Sequence, residues 1–170
     1  MDLIPYVKID NEWSLGDDVF LLAFSLMVRD RTLEDVFYDG GVKTARDLQI
    51  MFQDSVNLPV FIVEDGSLLG IAWLNGLIGS SAMAHFCLYR EVVGEKSLEI
   101  GNKMIDYWFD FPGEQGKLFD VLIGMIPSFN SKAINYVQKI GFVKVGEIPF
   151  VAHHKYKNKK YPMIITYRIR

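Results

Sequence analysis

The stretch Phe119–Phe142, FDVLIGMIPSFNSKAINYVQKIGF, constrains the fold more than any other part of the chain. Its first part, Val121–Ile126, is almost continuously apolar, which is typical of a strand covered on both faces. Pro127 has no backbone N–H to donate, so it ends that strand. Either Ser128 or Asn130 can cap a helix that follows. We therefore predict a buried strand that stops abruptly and leads directly into a helix.

The predicted helix is amphipathic and ends in a glycine. Its apolar residues recur at helical spacing, and Gly141 stands where a helix C-terminus favours glycine. These apolar residues are Ala133, Ile134, Val137 and Ile140. Open α/β sheets bind ligands at the carboxyl ends of strands, and helix N-termini favour anions. An ordinary strand–helix unit has the same spacing, so the spacing alone leaves the function open.

Composition limits the class of protein. With 170 residues, half of them hydrophobic, residues 1–170 are expected to form one globular domain. No apolar run approaches the roughly 18 residues of a membrane span, and no secretory signal is visible, so we expect no membrane partner. Cys87 is the only cysteine, which fits a reducing, cytoplasmic location. The net charge of −3 argues against nucleic acid as a partner, although the segment after Glu147 is basic.

Capping and turn signals give the first half of the chain. Leu3–Ile9 is predicted to be an edge strand, since its Pro5 suits an edge. Capping-box pairs, Ser14 with Asp17 and Thr44 with Asp47, predict two helices. We expect the first helix to bury Val19, Leu22, Ala23, Leu26 and Met27. We expect the second to bury Leu48, Met51 and Phe52.

The second half starts with a hairpin. The turn pair Asp65-Gly66 predicts that Val60–Glu64 and Leu68–Leu74 are antiparallel neighbours. A third strand follows at Ala82–Tyr89, and then a helix that Ser97 precedes. After the opening stretch come two more strands, Phe142–Ile148 and Pro162–Ile169, joined by the polar loop AHHKYKNKK. The predicted order is strand, two helices, three strands, helix, strand, helix and two strands.

Residues 130–142, NSKAINYVQKIGF, resemble the C-terminal signature of the GNAT superfamily of N-acetyltransferases. The matching positions are Asn130, Ala133, Lys139, Gly141 and Phe142. Val137 stands where the family often has a tyrosine that protonates the leaving thiolate. Tyr136 lies one residue earlier, about 100° around the helix.

The resemblance implies a fold and a function. The implied fold is α/β (α+β): a mixed, mostly antiparallel sheet of about six to seven strands with a splayed parallel pair, flanked by about four helices. The implied activity is that of an acyl-CoA-dependent N-acyltransferase, which transfers acetyl from acetyl-CoA, the co-substrate, to an amine by direct attack in a ternary complex. The acceptor is a small-molecule or peptide amine, no metal is expected, and a homodimer is compatible with the family.

In the family, a loop R/Q-x-x-G-x-G/A opens the central helix and holds the coenzyme A pyrophosphate. Aligning Met104-Ile105 with the family's paired leucines puts Lys96 at the basic position, Glu99 at the first glycine and Gly101 at the second. A second register starts at Arg90 and uses Gly94. The cofactor-binding residues that the resemblance implies are Phe86, Cys87, Leu88, Lys96, Ser97, Leu98, Glu99, Ile100, Gly101, Asn102, Asn130, Ala133 and Lys139.

Acetyl transfer requires a neutral amine, so either a base or a water chain must take its proton. His85, on the third sheet strand, is the candidate base because the ordinary pKa of histidine is about 6.5. A hydrogen-bonded structural histidine is the alternative. Tyr136 is the candidate acid, whereas Cys87 lacks a Cys–His–Asn constellation and is expected to be an inert buried thiol. Candidates for the acceptor site are Trp13, Trp73, Asn75, Tyr89, His153 and His154.

Two other functions fit the same sequence. One is a binding module of the GNAT fold that has lost catalysis, which Glu99 and Val137 favour. The other is an interaction protein of a different α/β fold.

Overall fold

The computed structural model describes residues 1–92, 94–114 and 116–170. The helices are α1 (Asp18–Asp30), α2 (Leu33–Val36), α3 (Ala45–Gln53), α4 (Glu95–Phe109) and α5 (Ser131–Lys139). The strands are β1 (Asp2–Pro5), β2 (Lys8–Ile9), β3 (Glu12–Trp13), β4 (Leu58–Glu64), β5 (Ser67–Ile78), β6 (Ser81–Leu88), β7 (Pro112–Gly113), β8 (Gly116–Lys117), β9 (Val121–Pro127), β10 (Val143–His154) and β11 (Lys159–Ile169).

Within the described residues, seven strands form one sheet in the order β1-β4-β5-β6-β9-β11-β10. The pairs β1–β4, β4–β5, β9–β11 and β10–β11 are antiparallel, whereas β6 and β9 are parallel. The short pairs β2–β3 and β7–β8 form separate hairpins. The predicted fold class, a mostly antiparallel sheet with one parallel pair and flanking helices, is confirmed.

The chain divides into two compact units. The first comprises Met1–Asn75 and His85–Val92. Its core is rich in aromatic rings: Phe20 and Phe52 both pack edge-on against Phe61 at centroid distances of 5.5 and 6.3 Å. Such edge-to-face pairs add to the area that each ring buries.

The second unit comprises Gly76–Ala84 and Val93–Arg170. Its helix α4 buries one apolar stripe that includes Ile100, Met104 and Ile105, each fully inaccessible to solvent. In the sheet, the Thr166 hydroxyl donates to the Gly124 carbonyl, 3.2 Å away. A side chain at Gly124 would collide with that hydroxyl, so β9 and β11 pair closely because this position is glycine.

The predicted capping box at the start of α3 and the predicted tight turn between β4 and β5 are both present in the structure. Thr44 and Asp47 form the predicted capping box at the start of α3. Asp65 and Gly66 both have positive φ angles, 50° and 75°, as the tight turn between β4 and β5 requires.

The prediction for the start of α1 was wrong. Asp17 caps this helix without a side-chain hydrogen bond, and the Ser14 hydroxyl instead donates to the Pro5 carbonyl, 2.8 Å away. The buried stripe is also rotated from the predicted one. Leu22 is 46% exposed, whereas Phe20 is buried, because α1 packs its Phe20 side on the aromatic core.

Three strand predictions need correction. The first strand ends at Pro5, and Lys8–Ile9 pairs with β3 instead. Strand β9 is not fully covered on both faces, since Met125 is 37% exposed. The polar loop predicted at AHHKYKNKK is mostly a hairpin end: β10 extends to His154, a 3₁₀ turn covers Lys155–Lys157, and β11 begins at Lys159.

Candidate functional site

The junction between β9 and α5 has the predicted form. Pro127 is the last residue of β9, and the Asn130 side chain caps α5 by accepting a hydrogen bond from the Ala133 N–H at 3.1 Å. Gly141 follows the helix with a φ of 89°. The Arg168 guanidinium donates to the Ile140 carbonyl and so satisfies a group at the helix C-terminus. Nothing in the local sequence indicated this role of Arg168, because the two residues are 28 positions apart.

The parallel ladder between β6 and β9 is short. In the described part of the chain it comprises three pairs, from Ser81 with Val121 to Met83 with Ile123. The pairing of β9 with β11 continues beyond Ile123 to Pro127. The edge of Gly124–Pro127 that faces away from β11 therefore has no strand partner among the described residues. Backbone N–H and C=O groups on such an edge are available to a ligand.

Helix α4 begins earlier than the sequence indicated. It starts at Glu95 with Gly94 as its N-cap, and Gly94 has a φ of 60°. Ser97 was predicted to precede the helix but lies within its first turn, where its hydroxyl donates to the Gly94 carbonyl at 2.7 Å. The outward-pointing amides of a helix belong to its first turn.

This start corrects the first motif register, because the segment K-S-L-E-I-G is helical and does not form a loop. The amides of residues 98–102 lie beyond the first turn and bond within the helix. In the second register, Arg90 and Gly94 precede the helix, and Val93 between them lies outside the described residues. The Glu99 side chain is 62% exposed and lies 3.8 Å from the Lys96 ammonium, and Glu95 places another carboxylate in the first turn.

Tyr136 joins α5 to α4. Its hydroxyl donates to the Ser97 carbonyl at 3.0 Å, and a side chain at Gly101 would collide with that hydroxyl. Burial raises the pKa of Tyr136 above its usual value. Val137, at the position where the family often has tyrosine, is buried. The Tyr136 proton therefore already has an acceptor within the protein.

His85 belongs to the first unit, where it contacts Asn75 and Trp73. Its Nε2 is 2.9 Å from the Asn75 Oδ1 atom, and its ring stacks on Trp73 with centroids 4.8 Å apart and an interplanar angle of 5°. Burial lowers the pKa of His85 to about 4. The imidazole is therefore neutral at pH 7 and can accept one hydrogen bond.

The remaining candidates on β6 and beyond it are apolar or internally bonded. Cys87 is buried, its Sγ lies 3.9 Å from the Thr32 hydroxyl, and burial raises the pKa of the thiol to about 12. The neighbouring Phe86 and Leu88 are partly buried. The Tyr89 hydroxyl donates to the Ala23 carbonyl at 3.3 Å, which ties β6 to α1.

The candidate residues fall into three groups. Tyr136, Ser97 and Gly101 contact one another, Asn130 contacts Ala133, and His85 contacts Asn75 and Trp73. Lys139 and Asn102 are exposed. His153 is also exposed, with its Nε2 3.4 Å from Asn158, whereas His154 is buried beside Phe129.

Two features are absent from the residues that the structure describes. No cluster of three or more histidine, cysteine, aspartate or glutamate side chains there has the arrangement of a metal site. No helix there combines the length and the apolar character that crossing a membrane would require.

Comparisons with known proteins give matches of structure only. No family model and no curated protein sequence matches the chain. Spermidine N-acetyltransferase from Vibrio cholerae in complex with CoA and spermine aligns with a TM-score of 0.71 at 15% identity, over 98% of this chain and 95% of that one. The ribosomal-protein-S5-alanine acetyltransferase from Vibrio fischeri aligns with a TM-score of 0.68 at 15% identity, over 91% and 90%.

A third similar structure is the microcin C7 self-immunity acetyltransferase in complex with acetyl-CoA and AMP. Its TM-score is 0.72 at 14% identity, and the alignment covers 91% of this chain and 89% of that one. The chain therefore has the fold of the GNAT N-acetyltransferases. At these identities the likeness establishes the fold and leaves the reaction to be argued from the site.

Proposed function

We propose that this chain is an acyl-CoA-dependent N-acyltransferase that transfers acetyl from acetyl-CoA to an amine by direct attack in a ternary complex. The observation that carries the proposal is the three-pair parallel ladder of β6 and β9, in a fold shared with CoA-bound acetyltransferases. The unpaired edge at Gly124–Pro127 offers backbone groups that can hydrogen-bond an extended pantetheine arm, as an added strand would.

The first turn of α4 is the proposed pyrophosphate site. Gly94 caps a 15-residue helix, so the helix dipole and the outward amides of that turn both favour a dianion. Lys96 adds a positive charge there, and Glu99 turns outward to pair with it. The hydrogen bond from Tyr136 to Ser97 holds this turn in place. Asn130, Ala133 and Lys139 of α5 remain proposed coenzyme contacts.

Acetyl-CoA supplies an acetyl thioester, and the acceptor amine supplies the nucleophile. The amine nitrogen attacks the carbonyl carbon, the new C–N bond forms, the C–S bond breaks, and the coenzyme leaves as its thiolate. His85 is the proposed acceptor of the amine hydrogen. A base of pKa about 4 does not deprotonate a free alkylammonium of pKa about 10. His85 therefore orients the neutral amine and takes its proton only as the C–N bond forms, when the nitrogen has become acidic.

A second function is favoured by one observation. The Tyr136 hydroxyl is bonded to Ser97, its pKa is raised, and Val137 is buried, so neither residue is well suited to protonate a thiolate. A thiolate of pKa about 8.5 leaves without much assistance, which is compatible with catalysis. A GNAT-fold module that binds acyl-CoA or a partner and has lost catalysis is the alternative.

The two functions differ in two measurements. We expect acetyl-CoA at about 100 times its Kd to stabilise the protein by about 2.7 kcal/mol, seen as a rise in Tm, with AMP as the control ligand. Thiol release should then be followed with a panel of amines: a polyamine, a peptide with N-terminal alanine, lysine and an aminonucleotide. An unchanged Tm contradicts the acyltransferase function, whereas a raised Tm without thiol release on any amine favours the binding module.

A further inference from the structure

His85 stands at the end of a chain of three hydrogen bonds. Its Nε2 lies 2.9 Å from Asn75 Oδ1, the Asn75 Nδ2 donates to Asn57 Oδ1 at 3.3 Å, and the Asn57 Nδ2 donates to the Met51 carbonyl at 2.8 Å. All four residues belong to the first compact unit. The chain begins at the Met51 carbonyl in the last turn of α3 and ends at the imidazole on β6.

The carbonyl at the far end determines the direction of every bond in the chain. A backbone carbonyl can only accept, so the end of the Asn57 amide that faces Met51 must be its NH₂ group. The other end of Asn57 is then an oxygen, which requires the NH₂ group of Asn75 to face it. Asn75 therefore presents its oxygen to His85, and the Nε2 of His85 must carry a hydrogen.

We propose that Asn57, acting through Asn75, is a positioning residue that fixes the Nε2–H tautomer of His85 and leaves the Nδ1 lone pair to accept a hydrogen bond from the acceptor amine. The tautomer follows from the hydrogen bonds alone. The role of Nδ1 toward the amine rests on the proposed function.

Stacking on Trp73 and burial also act on the imidazole. Trp73 stacks on its face with an interplanar angle of 5°, which limits rotation of the ring out of that plane. Burial keeps the ring neutral at pH 7, so a single tautomer is meaningful there. Among the described residues, Nε2 of His85 has Asn75 as its partner and Nδ1 has none, which fits an atom reserved for a ligand. The backbone N–H of Asn57 donates to the Asp54 carbonyl at 3.0 Å, and this bond holds the far end of the chain.

The tautomer can be read directly by ¹⁵N NMR of histidine-labelled protein, because the protonated and unprotonated ring nitrogens have well-separated shifts. The chain has three histidines, and the His85→Gln variant identifies the signals of His85. We expect wild-type His85 at pH 7 to show one tautomer, with hydrogen on Nε2. Hydrogen on Nδ1 would overturn the proposal.

Variants test the role of Asn57. Asn57→Ala removes the anchor, so Asn75 can turn over and we expect at least a tenth of His85 to carry its hydrogen on Nδ1. Asn57→Gln keeps an amide that can donate to the Met51 carbonyl and accept from Asn75, and should restore the wild-type tautomer. The matched control is Asn158→Ala, which removes the partner of His153 and should leave the His85 signals unchanged. An Asn57→Ala variant with the wild-type tautomer would also overturn the proposal.

A second pair of variants and a kinetic measurement complete the test of Asn57. If Asn57→Ala does not fold, the pair Asn75→Gln and Asn75→Leu replaces it, with only the glutamine expected to keep hydrogen on Nε2. If the chain is an acetyltransferase, Asn57→Ala should lower kcat in proportion to the fraction of His85 whose hydrogen moves to Nδ1, with the KM for acetyl-CoA unchanged. Absence of activity contradicts the proposed function and leaves the NMR result to decide the tautomer.

Discussion

The Tyr136 hydroxyl donates to the Ser97 backbone carbonyl at 3.0 Å, and this bond connects α5 to the first turn of α4. The first turn of α4 is also the proposed pyrophosphate site, so the bond links the structural role of Tyr136 to coenzyme binding. Tyr136 stands one position before the residue that is often tyrosine in the family. The shift turns the hydroxyl toward α4, where it bonds Ser97 beside Gly101.

Removing this hydroxyl should weaken α4 without abolishing the chemistry. We expect Tyr136→Phe to lower the free energy of unfolding by about 1 kcal/mol, since one hydrogen bond is lost and the Ser97 carbonyl loses a partner. The affinity for acetyl-CoA should fall by a few fold and kcat should change little. Urea unfolding and titration with acetyl-CoA measure these effects, and Tyr156→Phe, at an exposed ring, is the matched control. A loss of kcat of a hundredfold or more would instead assign Tyr136 as the acid.

Gly101 is predicted to be a packing glycine, and an added methyl group tests this. A Cβ at this position would collide with the Tyr136 hydroxyl and lie 2.9 Å from the Ile140 side chain. Because α4 and α5 are closely packed at this point, the added methyl group must push their side chains apart. We therefore expect Gly101→Ala to cost about 1–3 kcal/mol of stability. Gly146→Ala is the control, since nothing lies within 4 Å of a Cβ there. Equal stability of the two variants would show that α4 and α5 can separate at this point.

His85 makes stability depend on pH in a defined direction. Its pKa is about 4 in the folded protein and about 6.5 in the unfolded chain, so the unfolded chain binds more protons between these values. The stabilisation is fully present above pH 6.5 and is lost as the pH falls toward 4, by up to about 3 kcal/mol. Urea midpoints at pH 7.5 and pH 5 should show a smaller difference in His85→Gln than in wild type.

The pH dependence of activity should also be determined by His85. If His85 accepts the amine proton, kcat/KM calculated on the concentration of neutral amine should fall only below about pH 4 and not below 6.5, and His85→Gln should remove this fall. His153→Gln, at an exposed ring, should leave both the urea midpoints and the rate profile unchanged. A wild-type rate profile in His85→Gln would assign the proton to a water chain.

Asn130 has a structural role that must be separated from any contact with the coenzyme. Because its side chain caps α5, Asn130→Ala should cost about 1 kcal/mol of stability. Serine is an equally good N-cap, so Asn130→Ser should keep the stability. If the amide also contacts acetyl-CoA, Asn130→Ser should still lower the affinity measured by titration. Wild-type affinity in both variants would limit Asn130 to capping.

Much of the fold was predictable because its signals are local. The Thr44–Asp47 capping box, the Asp65-Gly66 turn and the capped helix after Pro127 each complete their hydrogen bonds within a few residues. Ser14 had the same local signal, but its hydroxyl bonds the Pro5 carbonyl, nine residues away, so tertiary structure overrode the capping box.

The candidate site was harder to predict than the fold because its contacts join residues that are far apart in the sequence. The sequence identified His85 and Asn75 separately but gave no sign that they bond each other, and Asn57 was missed entirely. The bond from Asn75 to Asn57 spans 18 residues, and it exists because β4 and β5 pair, with Leu58 opposite Leu74. The start of α4 depended on Gly94 adopting a positive φ angle, which no apolar spacing reveals.

Measurements on Cys87 distinguish direct transfer of the acetyl group from transfer through an acyl-enzyme. Burial raises the pKa of its thiol to about 12, so very little thiolate exists at pH 7.5 and the native protein should not react with a thiol reagent. Cys87→Ala removes the sulfur from the 3.9 Å contact with Thr32, and we expect a stability loss but a kcat close to wild type. Initial-rate patterns with acetyl-CoA and amine varied together should intersect, as a ternary complex requires. Parallel patterns, or a loss of turnover in a folded Cys87→Ala protein, would mean that the acetyl group passes through the cysteine.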